Sequence, residues 1–162
     1  MPPLPAQPLL DTLRLNSGMI KRQLNGISHE ETLIQPPFQA NCMNWTLGHL
    51  LTSRDAMLEL LSLPPVLTPT EKKIYDRGSL PLADSAIASP LESLLGRHET
   101  SARQLRAALE SASQSSLEMP CDFGGGMPLG EALAFLLWHE TCHTGQLELL
   151  RQLAGKNDQV IK

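Results

Sequence analysis

The chain has 162 residues and a mass of 17.7 kDa, the length of one compact domain spanning residues 1–162. Apolar residues make up 41%, charged residues 19%, and the formal net charge is −4, which excludes a disordered tail, a collagen-like repeat and a polybasic nucleic-acid binder. Leucine occurs 31 times against six Ile and two Val, and because strands draw chiefly on β-branched and aromatic residues, this balance points to an all-α fold.

Leu9, Leu10, Leu13, Ile20 and Leu24 fall at helical spacing, which predicts a first helix over 9–25 with Gly26 as its stop. Ser28-His29-Glu30-Glu31 has capping-box form and predicts a short turn of helix, broken by Pro36-Pro37. A second long helix is expected to begin with Asn41 or Asn44 as cap and to run to about Leu63 before Pro64-Pro65, with Leu47, Leu50, Leu51, Met57, Leu58 and Leu61 in its apolar stripe. About 25 proline-rich residues without sustained periodicity follow, more than two antiparallel neighbours need, so this connection crosses the bundle or covers a site. Ser89-Pro90-Leu91-Glu92 reads as a cap, a first-turn proline and a box-completing glutamate opening a third helix that persists to about Ser113. Ser111 to Ser116 is serine-rich, and Phe123-Gly124-Gly125-Gly126 suits a tight turn or hairpin. A fourth helix is predicted over 128–154 with Gly155 at its end. Four helices with one long connection between the second and third describe a four-helix bundle, an architecture whose interior can hold metal.

Met1-Pro2-Pro3-Leu4-Pro5 lacks the basic start and apolar core of a secretory signal, and the longest apolar run, Ala132 to Trp138, is too short to span a bilayer. The expectation is a cytoplasmic protein without membrane attachment. Cys42, Cys121 and Cys142 form no CxxC pair, and an odd count in a reducing compartment predicts free thiols.

The chemistry lies in Trp138-His139-Glu140-Thr141-Cys142-His143-Thr144-Gly145-Gln146. His139 and His143 are one helical turn apart and emerge on one face. Ala132, Phe135, Leu136, Gln146, Leu147 and Leu150 continue that stripe, so the imidazoles are expected to point into the core. In the second long helix His49 shares a face with Trp45, Ser53, Ala56 and Leu60. Three neutral imidazoles with an open fourth position make a zinc-type site, with nickel or iron as alternatives. The plain alternative is that each is a hydrogen-bonded core histidine. His29, in a capping segment, and His98, in Arg97-His98-Glu99, read as solvated surface. Trp138 and the leucine stripes read as core or dimer contact.

The run Asn41-Cys42-Met43-Asn44-Trp45-Thr46-Leu47-Gly48-His49-Leu50 resembles the second-helix motif of the DinB-like superfamily, and His139 to Gln146 resembles its HxxxHxGQ motif. Tyr75-Asp76-Arg77-Gly78-Ser79 is similar to the segment between that family's second and third helices, and Phe123 to Met127 to its turn before the fourth. The resemblance implies a four-helix bundle, often a homodimer, holding a divalent metal, zinc or nickel, on one histidine of the second helix and two of the fourth. In this sequence those are His49, His139 and His143. It also implies a small-molecule substrate, in some members a low-molecular-weight thiol used by a thiol-S-transferase or an isomerase, and the expectation for this chain is a metal-dependent transferase or hydrolase. The metal would lower the pKa of a bound water or thiol. Tyr75, Arg77 and Ser79 are candidates for the pocket mouth, where an arginine favours a carboxylate. With the charge at −4 and no basic stripe, nucleic acid is not an expected partner.

Two rival readings accompany this one. His139-Glu140-Thr141-Cys142-His143 also satisfies HExxH, the zinc-peptidase pattern with the glutamate as general base. Glu140, however, is about 100° from His139 around the helix, which places it beside the site or on the surface. The other reading is a bundle that binds metal or a partner without catalysis. Cys142, likewise about 100° from His143, is expected to be a buried or interfacial thiol rather than a fourth ligand.

Overall fold

A computed structural model of the protein describes residues 4–82, 85–158 and 160. Among them are seven α-helices and no strand: α1 (Ala6–Leu24), α2 (His29–Thr32), α3 (Met43–Leu60), α4 (Pro69–Tyr75), α5 (Leu91–Ser111), α6 (Gln114–Glu118) and α7 (Leu129–Leu153), with one 3-10 turn at Ser85–Ile87. The long helices α1, α3, α5 and α7 form the expected bundle, in which α1 packs on α5 and α7, and α3 packs on the same two.

Local chemistry explains the joints. Gly26 takes φ 71° after α1, and the Ser28–Glu31 capping box is present in full. The connection after α3 is more ordered than its lack of periodicity suggests. Thr68-Pro69-Thr70-Glu71 forms a second capping box with proline in the first turn, and α4 grows from it. Asp55 of α3 accepts the amides of Val66 at 2.7 Å and Leu67 at 3.1 Å, tying the start of this connection to the helix it follows. Ser113 caps the short α6 inside the serine-rich stretch. Gly124, Gly125 and Gly126 all take positive φ, and the Cys121 amide bonds the Met127 carbonyl at 3.0 Å across the resulting hairpin.

Several boundaries and surfaces depart from expectation. Neither Asn41 nor Asn44 caps α3, because Cys42 stands at the cap and Asn44 lies inside the helix, fully buried. There Asn44 donates to the Ser89 carbonyl at 3.0 Å. Ser89 does not complete a box with Glu92: its hydroxyl and amide bond Glu71 and Tyr75 instead, and Pro90 is the cap of α5. Every residue from Met43 to Asp55 is buried, since α3 is flanked by α5 and α7 and covered by α4. Trp138 is 59% exposed, so it is not core, and it shares an outward apolar face of α7 with Phe135 and Leu149. The three cysteines are free, but Cys142 is exposed rather than buried. No helix among the described residues is long and apolar enough to cross a membrane.

Candidate metal centre

His49 on α3 and His139 and His143 on α7 come together in a cleft beside the α3–α7 contact. One ring nitrogen of each lies within 4.8 Å of the others. Their ring centroids are 4.5–5.3 Å apart and the rings stand nearly perpendicular to one another.

Each imidazole is held through its Nδ1. That of His49 lies 2.9 Å from the Tyr75 carbonyl oxygen, which can only accept, so the ring proton sits on Nδ1 and the lone pair on Nε2. That of His143 faces Gln146 Oε1 at 2.7 Å, with the same consequence. That of His139 is 3.1 Å from Ser53 Oγ, a hydroxyl able to donate to this nitrogen or accept from it, which also lies 3.4 Å from the His49 carbonyl. Such partners fix the tautomer and orientation of metal-binding imidazoles. The Nε2 atoms of His139 and His143 lie 3.0 Å apart, a spacing that a proton or a cation shared between the two nitrogens accounts for. A tetrahedral zinc ion, with Zn–N of about 2.0–2.1 Å, separates neighbouring nitrogens by about 3.3 Å. The donor set therefore fits a divalent ion.

The supporting shell is built from the covering connection. The Tyr75 ring lies flat against Gly48, where a Cβ would sit 2.2 Å from the nearest ring carbon. The Tyr75 hydroxyl donates to Asn44 Oδ1 at 2.9 Å and accepts from the Ser89 amide at 2.8 Å. Tyr75 is fully buried, so it holds His49 by its backbone and does not line the pocket mouth. Trp45 stacks on the His49 ring at 4.8 Å. Burial, the imidazoles of His143 and His49 and the Arg77 guanidinium push His139 down to about pKa 4, and burial also lowers His143. Both are neutral, metal-competent donors at physiological pH.

The three rings open into a cavity of about 510 Å³, a volume typical of small-molecule sites, whose walls include Phe38, Trp45, Arg77, Gln146 and Leu149. His49 is buried as expected, whereas His139 and His143 are half-buried on the cavity wall and not in the core. The buried stripe of α7 instead runs through Leu133, Leu137, Glu140, Thr144, Leu147 and Arg151. Phe135 and Gln146, counted as continuing the inward face, are exposed for that reason.

Glu140 is neither beside the site nor on the surface. It is fully buried, with both oxygens on the Arg54 guanidinium at 2.7 and 3.1 Å, so the glutamate of the HExxH pattern is turned away from the imidazoles. Arg54, which the sequence reading passed over, also donates to the His98 carbonyl and to Ser101 and Ser17. His98 is 3% exposed, not solvated, and His29 is half-buried with its Nδ1 enclosed. Pro36, at the predicted break, and Phe38 to Asn41 after it supply one wall of the cavity.

No curated protein sequence matches the chain. In three dimensions it is similar to a conserved protein of Enterococcus faecalis known from a crystal structure, with a TM-score of 0.71 and 15% identity over 91% of this chain and 95% of that one. That likeness concerns the fold. A family model described as the DinB superfamily matches residues 13–147, from α1 through both histidines of α7, and by this match the chain belongs to the DinB superfamily.

Proposed function

We propose that the protein binds one divalent ion, zinc or nickel, on the free ring nitrogens of His49, His139 and His143. With it, the protein acts on a small molecule held in the adjoining cavity, as a thiol-S-transferase or a hydrolase. The observation that carries this reading is the convergence of three imidazoles whose other nitrogens already have partners, at the base of a cavity of about 510 Å³. When bound, such an ion supplies Lewis acidity that brings a water or thiol near its ionised form at neutral pH. The chain's own residues do the rest. The Tyr75 carbonyl and Gln146 keep the ring protons of His49 and His143 on Nδ1, Ser53 holds His139 through the same atom, and Trp45, Phe38 and Leu149 form apolar walls.

A metal-binding bundle without catalysis is the second reading. It is favoured by the lack of any carboxylate among the described residues lining the cavity, where no acidic general base then stands. Elemental analysis of tag-free protein tests the ligation: about one ion per chain is expected in the wild type and none in His139→Ala. Unchanged metal content in that variant overturns the assignment. A panel of low-molecular-weight thiols with electrophilic acceptors then separates the two readings. Chelator-sensitive turnover supports the enzyme, and its absence from metal-loaded protein supports the passive binder.

A further inference from the structure

The turn after α4 sets a single cation on the rim of the cavity. The Ser79 amide bonds the Asp76 carbonyl at 3.1 Å, and Gly78 between them takes φ 84°. That is the third position of a type II turn, with Arg77 in the second. Ser79 fastens this turn to the cavity wall, because its hydroxyl donates to the Ile74 carbonyl at 2.7 Å and accepts from the Trp45 indole at 2.9 Å. Arg77 is thus presented by a pinned turn and not by a free loop.

Its guanidinium makes no hydrogen bond or ion pair with any described residue, its only bond being from the backbone amide to Asp76 at 2.8 Å. Among the described residues lining the cavity, Arg77 is also the one that bears a formal charge, on a chain whose net charge is −4. An unpaired guanidinium fork matches the two oxygens of a carboxylate. On the same rim Phe38 is 70% and Leu149 67% exposed, two large apolar side chains left in water beside a cavity. Exposed apolar surface of this kind, next to a concave site, marks a place that a ligand covers.

We propose that the cavity selects an amphiphilic carboxylate, its anionic head on Arg77 and its apolar body against Phe38 and Leu149. This rests on the reading of the cavity as a substrate pocket, and it assigns Arg77 and Phe38 as specificity-determining residues.

Calorimetric titration of ω-phenylalkanoates with two, three or four methylenes, each against its neutral amide, tests it on protein as purified. The wild type should bind at least one acid about three- to tenfold more tightly than its amide, the range of a partly exposed charge pair. In Arg77→Gln that preference should vanish while amide affinity holds, and Arg77→Lys should retain part of it. Phe38→Ser should weaken acid and amide by the same factor. Equal affinity of acid and amide in the wild type, an undiminished preference in Arg77→Gln, or no binding by any member overturns the proposal. Repeating the titration on His139→Ala keeps the two readings separable. An acid preference that survives beside unchanged metal content sinks the ligation and leaves the carboxylate subsite, whereas metal lost as expected with no acid preference in the wild type sinks the subsite alone.

Discussion

His98 is 3% exposed, its Nε2 has no hydrogen-bond partner among the described residues, and its own carbonyl is taken by Arg54 at 2.9 Å. Burial, reinforced by the positive charges of Arg54 and Lys21, holds its pKa well below 6.5. The unfolded chain, with a histidine near pKa 6.5, therefore takes up a proton that the folded chain refuses. This contribution to stability is complete above about pH 6.5 and is lost progressively as pH falls toward the folded value. Urea midpoints measured from pH 7.5 down to 5 should decline more steeply for the wild type than for His98→Leu. His139 and His143 contribute with the same sign and are present in both proteins, so equal slopes would remove His98 from the account. Gly48 presents a conflict of two local effects. Alanine is about 1 kcal/mol the better helix former, yet its Cβ would meet the Tyr75 ring at 2.2 Å, and two hydrogen bonds keep that ring from retreating. Overpacking of this kind costs about 1–3 kcal/mol and should win. Gly48→Ala is expected to lower Tm by a few degrees, and a rise would show that Tyr75 can move.

At the scale of elements, α3 and α7 are joined by two adjacent rungs, Ser53 to His139 and Arg54 to Glu140. The Arg54 guanidinium also reaches Ser17 on α1 and His98 and Ser101 on α5, so one side chain touches all three other long helices. Removing one partner of a fully buried pair strands a charge and costs about 3–5 kcal/mol, whereas replacing both by apolar residues is often near neutral. Arg54→Met should therefore be strongly destabilised and Arg54→Met with Glu140→Leu largely restored, as denaturant unfolding would read; simple additivity would deny the coupling. This pair also shows where sequence reasoning stopped. The four long helices were legible because leucine spacing, Gly26 and Gly155 mark them, and His49, His139 and His143 because a turn of spacing and a motif pick them out. Glu140 follows Leu133, Leu136 and Leu137 at core spacing, but a carboxylate next to a histidine reads as chemistry or surface until its cation is known, and Arg54 lies 86 positions away. His98 was misread for a related reason, since the polar neighbours Arg97 and Glu99 say nothing of which way the ring turns. The Thr68–Glu71 box was in plain view, masked by the prolines around it.

For the whole molecule, the ring of four helices leaves α3 buried all round from Met43 to Asp55, and the connection carrying α4 is what covers it there. The histidine cluster lies where this covering connection, α3 and α7 meet, so the groups that would hold an ion belong to segments far apart in the chain. On the proposed ligation, the ion cross-links α3 to α7 in the folded state and has little hold on the unfolded one. Binding must then appear as stability: at free metal about a hundred times Kd the folded state gains about 2.7 kcal/mol. For a domain of this size each kcal/mol moves Tm by about 2–4 °C, so zinc or nickel should raise Tm by about 5–10 °C and a chelator should reverse it. The gain should fade in acid, as protons compete for the ring nitrogens. At His139, held at a pKa of about 4 by burial and the neighbouring charges, and at His143, which burial also lowers, that competition sets in below the ordinary histidine range. His139→Ala should keep the metal-free Tm within a few degrees, since that half-buried ring lines a cavity and fills no core. That variant should nevertheless fail to respond to either ion, and thermal unfolding with zinc, with nickel and with chelator decides it. An equal rise in the wild type and in His139→Ala would place the stabilising metal elsewhere on the protein.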